Sequence, residues 1–310
     1  MKQTRVGLGL GFTAYALWGA FPFYFTLIAA VSPFEAVVWR VTSTFAFCVI
    51  LVSISKTWLQ VRGILASPRL LGWFALSSVL LYINWQIFVA GVMFGHIIQT
   101  SLGYFINPLV TILIGVFIRK EKLTRMQWLA VMIAAVGIIA VAVGYGRFPW
   151  ISIGLALSFG FYGAVHKHVG ADIQGLTGLT VETFVAIPIA LVQGIVIFQL
   201  VGFTAHTFGT GILVLVMLSG LITAIPLILF GEAARRLPLS YVGFLQFLTP
   251  ILSFLYGYFI AGEEMSYTRW LGFVAVWIAL TLLIFDMVRQ IKQAPVGSKP
   301  SLNTEPIPLD

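Results

Sequence analysis

From Val6 to Phe34 the chain carries no charged side chain. That run is too long for the apolar core of a secretory signal, which spans about 7–15 residues. It is long enough for a helix to cross a hydrocarbon layer about 30 Å thick. Lipid offers no partner to an unpaired peptide group, so only helices or a closed barrel can cross it. Similar runs recur almost to the C-terminus. They are continuous rather than alternating, which selects helices over barrel strands. Only 9% of residues are charged, against roughly 25% in a soluble domain, so the chain cannot cover a water-facing surface. The expected fold class is all-α integral membrane.

At about 20 apolar residues per span, ten transmembrane helices are expected, at 7–30, 34–55, 70–91, 97–118, 126–145, 149–167, 178–200, 211–232, 240–261 and 269–287. With the N-terminus in the cytoplasm, fifteen of the 18 Lys and Arg residues fall on the cytoplasmic side. Arg147 and Arg269 fall outside, and Arg40 lies within the second span. This bias orients the chain with both termini cytoplasmic. The net charge of +8 therefore reads as membrane topology and not as a nucleic-acid surface. The single cysteine, Cys48, excludes an internal disulfide. The Pro- and Ser-bearing tail, 289–310, is expected to be disordered.

A shift of 142 positions lays "FINPLVTILIGVFIRKEKLTRMQWL" (105–129) over "FLTPILSFLYGYFIAGEEMSYTRWL" (247–271), with nine of 25 positions identical. The matches include Pro108/Pro250, Gly115/Gly257, Glu121/Glu263 and Trp128/Trp270. Glu35 parallels Glu182 more loosely. The repeat unit is five spans, an odd number, so successive copies enter the membrane from opposite sides. Two inverted five-helix repeats, 1–145 and 146–288, are expected around a central cavity, an arrangement used by transporters.

Each half carries a mid-span proline in a small and polar stripe. Ser101, Tyr104, Asn107, Thr111 and Gly115 share one helix face; Gly243, Gln246, Thr249, Ser253 and Gly257 are their repeat partners. Pro108 frees the carbonyl of Tyr104, and Pro250 that of Gln246. Such broken backbone is tolerated where protein or a water-filled cavity surrounds it. The competing reading is a plain packing kink. Pro22 likewise frees the carbonyl of Trp18, whose repeat partner is Tyr162.

Arg40 costs at least ~2.5–3.5 kcal/mol at mid-span on insertion scales. Either it binds an anionic group of a solute, or it is buried as a structural pair with Glu35, Glu182 or a carbonyl. Glu35 and Glu182 are proton-relay carboxylates, or interfacial and helix-start anions. Asn84, Trp85, Trp18 and Tyr162 line a cavity or fill space between helices. "HKH" (166–168) lacks the carboxylate or Cys partners of a metal site, so no metal or cofactor is expected. "VGYG" (143–146) has no pore helix, and "GLGLG" (7–11) follows no strand. No nucleophile–base arrangement points to an enzyme.

"SLGYFINPL", "RMQWLAV", "NW" at 84–85, "SFGFYG" at 158–163 and the Glu182-Thr183 pair resemble RarD-type permeases, of the EamA branch of the drug/metabolite transporter superfamily. The resemblance runs from residue 3 to about 290. It implies a bacterial inner-membrane carrier or exporter of small metabolites or drugs. A basic residue is frequent in that family where His166 stands.

The expected function is a secondary transporter working by alternating access. Its cavity would be lined by Trp18, Arg40, Asn84, Trp85, Tyr104, Asn107, Tyr162 and Gln246. Glu35 and Glu182 are the candidates for proton coupling, and Pro22, Pro108 and Pro250 for helix breaks. The partners are a small-molecule solute and the lipid bilayer, with monomer and homodimer both open. A channel-like facilitator and a non-transporting scaffold are the alternatives.

Overall fold

The computed structural model describes residues 2–120, 123–169, 173, 175–234, 236–237, 241–242 and 245–293. Its elements are α1 (Lys2–Gly19), α2 (Phe21–Leu27), α3 (Pro33–Ser55), α4 (Trp58–Ala66), α5 (Pro68–Met93), α6 (Ile97–Arg119), α7 (Arg125–Tyr145), α8 (Trp150–Val169), α9 (Gly175–Leu200), α10 (Thr210–Ala234), α11 (Leu248–Leu255) and α12 (Tyr267–Gln293). No strand occurs among the described residues. Eight helices among them are long and apolar enough to cross a bilayer, α1 and α2 together forming one. Two shorter apolar helices are Trp150–His166 and Leu248–Ile260.

Polar residues set the helix ends. Ser32 caps α3 by accepting from Phe34 N, with Pro33 just inside. Ser67 and Pro68 do the same for α5. Thr124 and Gln127 close a reciprocal capping box at α7. Glu263 accepts from the amides of Ile97 and Ile98, so a carboxylate sits on the N-terminus of α6.

The prolines behave differently from one another. Pro22 sits in the first turn of α2, after a turn at Ala20 ends α1. Pro250 sits in the first turn of α11, after a turn at Gln246 and Phe247. A first-turn proline loses no helix hydrogen bond, because that N–H has no partner there. Pro108, by contrast, lies inside the unbroken α6, as Pro188 and Pro226 lie inside α9 and α10. The expected pair of matching breaks is therefore present at Pro250 only. A wide π-helical turn, Tyr256–Ile260, follows α11. Two further differences concern length. α4 was not expected, and α12 runs to Gln293, past the expected start of the tail. Residues 294–310 of that tail, and Glu121 and Gly243, lie outside the described residues.

Packing divides the chain into two units, Met1–Tyr104 with Ile151–Glu264, and Phe105–Trp150 with Met265–Asp310. In the first, α3 packs against α9, α10 and α5, and α1 against α10 and α11. Its core includes Phe25, Ile28, Val37, Val41, Val89, Leu155, Ala190 and Val216. At Gly220 the backbone of α10 touches that of α3: a Cβ there would sit 2.2 Å from the carbonyl carbon of Ser43. In the second unit α7 packs along α12. Gly137 and Gly272 face each other across that seam, each too close to the other's carbonyl oxygen to admit a Cβ.

Candidate functional site

The first unit gathers most of the polar residues that the sequence places in mid-membrane. Arg40, on α3, is 3% exposed. Its Nε donates to Thr223 Oγ1 of α10 at 3.0 Å. Its guanidinium carbon lies over three rings, Trp85 at 4.3 Å, Phe25 at 5.3 Å and Phe21 at 5.4 Å. Rings of α2 and α5 thus face the cation with their negative π faces, an interaction that strengthens when water is absent. Nη1 is buried and has no hydrogen-bond partner.

The expected structural pair does not form, because both candidate carboxylates are engaged elsewhere. Glu35 accepts from Thr204 N and Thr204 Oγ1, each at 2.8 Å, from Ala205 N at 3.0 Å and from Trp39 Nε1 at 3.3 Å. It clamps the loop before α10. With four donors on its two oxygens, Glu35 fastens that loop to α3. Glu35→Gln turns an NH2 group toward donors that need an acceptor. About 1–3 kcal/mol of local stability is expected to be lost. The check is amide hydrogen exchange: protection at Thr204 and Ala205 falls, while that of α5 is unchanged.

Glu182, on α9, is 1% exposed and lies in a different environment. Ser77 of α5 donates to Oε1. His166 Nε2 of α8 meets the same oxygen at 2.6 Å, and Tyr162 OH reaches Oε2 at 3.3 Å. Ser78 Oγ donates to the backbone carbonyl of Glu182 at 2.7 Å. The His166 side chain is 40% exposed, so the buried carboxylate connects to a surface through one imidazole. Tyr162 and His166 are four apart, hence on one face of α8. His168 packs against Trp73 instead, with ring centres 4.4 Å apart.

Asn84 and Tyr104 bridge the two centres. Asn84 Nδ2 donates to Ser158 Oγ at 3.0 Å, and Tyr104 OH donates to Asn84 Oδ1 at 3.4 Å. The Tyr104 ring contacts Phe88 and Phe159, and Phe159 stacks on Tyr162. Trp85 and Ser77 are both on α5, eight residues apart, so about 12 Å separates the two levels along that helix. The structure thus brings Arg40, Asn84, Trp85, Tyr104, Tyr162 and Glu182 into one region. Trp18 packs with Tyr15 and Phe230 and against the same core, without a ring contact to Trp85. Gln246 is exposed at the turn before α11. Asn107 belongs to the second unit, where its Oδ1 is buried without a partner.

Thr223, Phe21, Phe25, Ser77, Ser78 and His166 were not singled out for these centres from sequence. Only the Tyr162–His166 spacing on one helix face carried a signal.

Residues 5–143 match the EamA-like transporter family. The chain is 40% identical over 290 residues to Protein RarD of Salmonella typhi, covering 93% of this chain and 97% of that one. It is 37% identical over 291 residues to an uncharacterized transporter of Bacillus subtilis, covering 93% and 96%. A solved crystal structure shares the fold, with a TM-score of 0.59 at 15% identity over 91% of this chain and 98% of that one.

Proposed function

Since the chain belongs to the RarD group of the EamA-like transporter family, we propose that it is a secondary permease for small organic solutes in the bacterial inner membrane. It moves the solute by alternating access and catalyses no covalent step. The observation that carries this reading is Arg40: a buried cation with no carboxylate beside it among the described residues and one guanidinium nitrogen unpartnered. An intramembrane charge of that kind is costly and marks a solute or ion pathway. The solute contacts are Arg40, Trp85, Asn84, Tyr104 and Tyr162, all in the first unit. Glu182, reached through His166, carries the coupling proton.

The fold reading is ten spans in two inverted repeats, with both termini cytoplasmic. It is supported by which helices pair. α3 packs on α9, and α7 on α12; these are the second and seventh, and the fifth and tenth, of the ten spans. Under the 142-residue shift, the seam positions Ala130 and Gly137 of α7 correspond to Gly272 and Ala279 of α12, all small. Equivalent helices thus meet through equivalent small residues.

Reconstituted protein in vesicles tests the function. Saturable uptake with counterflow is the expected result. A conductance that does not saturate would replace the permease with a channel. Absence of any flux, with the folded protein present, leaves the scaffold reading.

A further inference from the structure

We infer that the solute is an organic monocarboxylate with an apolar body, and that Arg40 binds its carboxylate. This inference rests on the permease reading and names the solute class for its site.

Charge balance comes first. Arg40 is the only basic residue on α2, α3, α9 and α10, and the sole basic residue of α5, Arg69, is 16 positions from Trp85, about 24 Å along the helix. One fixed positive charge therefore stands in this region. No carboxylate compensates it, because Glu35 is bound by the Thr204–Ala205 loop and Glu182 by Ser77, Tyr162 and His166. A monoanion balances the charge; a dianionic phosphate ester or dicarboxylate leaves one charge in excess, with no second Lys or Arg near Trp85 on α2, α3, α5, α9 or α10.

Geometry comes second. The rings of Trp85, Phe25 and Phe21 cover the guanidinium, and Nε is committed to Thr223. The remaining buried donor, Nη1, has no protein acceptor. A guanidinium edge free of protein partners is suited to a carboxylate, which takes two parallel N–H bonds. In this conformer Nη1 is closed off from solvent. The conformer that receives solute is therefore one in which the aromatic cover has moved.

The third consideration is the body of the solute. Beside the cation stand Phe21, Phe25 and Trp85, and Phe88 contacts both phenylalanines. The nearby polar side chains Asn84 and Tyr104 already bond to one another. The surroundings favour a solute whose far end is apolar, aliphatic or aromatic.

The test uses the purified full-length protein in detergent. The probes are butyrate, isovalerate, benzoate and phenylacetate, each paired with its primary amide, together with inorganic phosphate and chloride. Thermal stabilisation and tryptophan fluorescence, to which Trp85 is one of nine contributors, read binding. At least one carboxylate is expected to bind about tenfold or more tightly than its amide, with phosphate and chloride weaker still. Arg40→Met is expected to lose that preference. Its ligand-free Tm should equal or exceed that of the parent, because a costly unpaired charge has become a buried apolar chain. Arg40→Lys keeps the charge without the fork and should retain a reduced preference.

Equal binding of acids and amides overturns the inference. So does phosphate or chloride as the strongest ligand, or a carboxylate preference that survives in Arg40→Met. A large fall in the ligand-free Tm of Arg40→Met would make the arginine structural and also overturn it. Binding in detergent requires no transport. Carboxylate binding without flux in vesicles would therefore sink the permease and leave the anion site. Flux of neutral solutes without carboxylate binding would do the reverse.

Discussion

Gly220→Val is expected to prevent the protein from reaching a stable fold. A Cβ at Gly220 would lie 2.2 Å from the carbonyl carbon of Ser43, 2.3 Å from the amide nitrogen of Thr44 and 2.5 Å from the Ser43 oxygen. All three are main-chain atoms of α3, so no side chain can turn aside. The two helices must separate. In lipid, that seam is held by close van der Waals contact and not by exclusion of water. The neighbouring hydroxyls of Ser43 and Ser219, 3.2 Å apart, separate with it. So does Thr223, less than one turn further along α10, from Arg40. Overpacking in a well-packed core costs about 1–3 kcal/mol or more. Gly220→Ala should therefore lose about 3 kcal/mol, and the valine variant more. Gly211 and Gly231 lie on the same helix with nothing within 4 Å of an added Cβ. Alanine at those two positions should change stability by less than about 1 kcal/mol in either direction. Thermal unfolding in detergent distinguishes the three sites. A Gly220→Val protein with the parent's Tm would mean that α3 and α10 are not in backbone contact.

Nothing in the sequence marks Gly220 from the chain's other glycines, because its constraint comes from a helix 176 positions away. The same distinction runs through the fold. The eight long helices follow from local hydropathy and were legible within a few residues at each end. α4, nine residues carrying Arg62 between apolar positions, is too short and too mixed to register as a span. Proline was the less dependable signal. It marks the starts of α2 and α11, yet α6, α9 and α10 continue through theirs. A proline removes one donor, and the neighbouring turns decide whether the helix stops.

The site divides in the same way. That Arg40 is unusual follows from its position alone, since charge in mid-span is costly wherever it points. What surrounds it does not. The rings come from α2 and α5 and the hydroxyl from α10, none close in sequence to Arg40. Glu35 and Glu182 look alike as near-terminal carboxylates in the sequence. Their partners separate them: loop amides for Glu35, an imidazole and three hydroxyls around Glu182.

That separation leads to the second large effect. Glu182→Gln is expected to abolish solute accumulation driven by an imposed pH gradient, lowering it about a hundredfold. The carboxylate takes hydrogen bonds from Ser77 and Tyr162 and meets His166 at 2.6 Å. Those partners suit the anion. A proton on Glu182 would make one oxygen a donor, which would compete with the O–H groups of Ser77 and Tyr162 and force those hydroxyls to turn and accept instead of donate. Under the proposed coupling, protonation would rearrange the contacts that tie α9 to α5 and α8 and so bias how these helices pack. His166, partly in solvent, joins Glu182 to the surface and is the expected route for that proton. Glutamine keeps the size and one acceptor oxygen but never titrates, so the packing is fixed in one state. His166→Gln should slow gradient-driven uptake about tenfold, because the imidazole joins the buried carboxylate to the surface. Glu35→Gln is the internal comparison: it weakens the Thr204–Ala205 loop but leaves the response to the gradient intact. Gradient-driven accumulation at the parent's level in Glu182→Gln would remove the proton from this site and leave Glu182 as a packing residue.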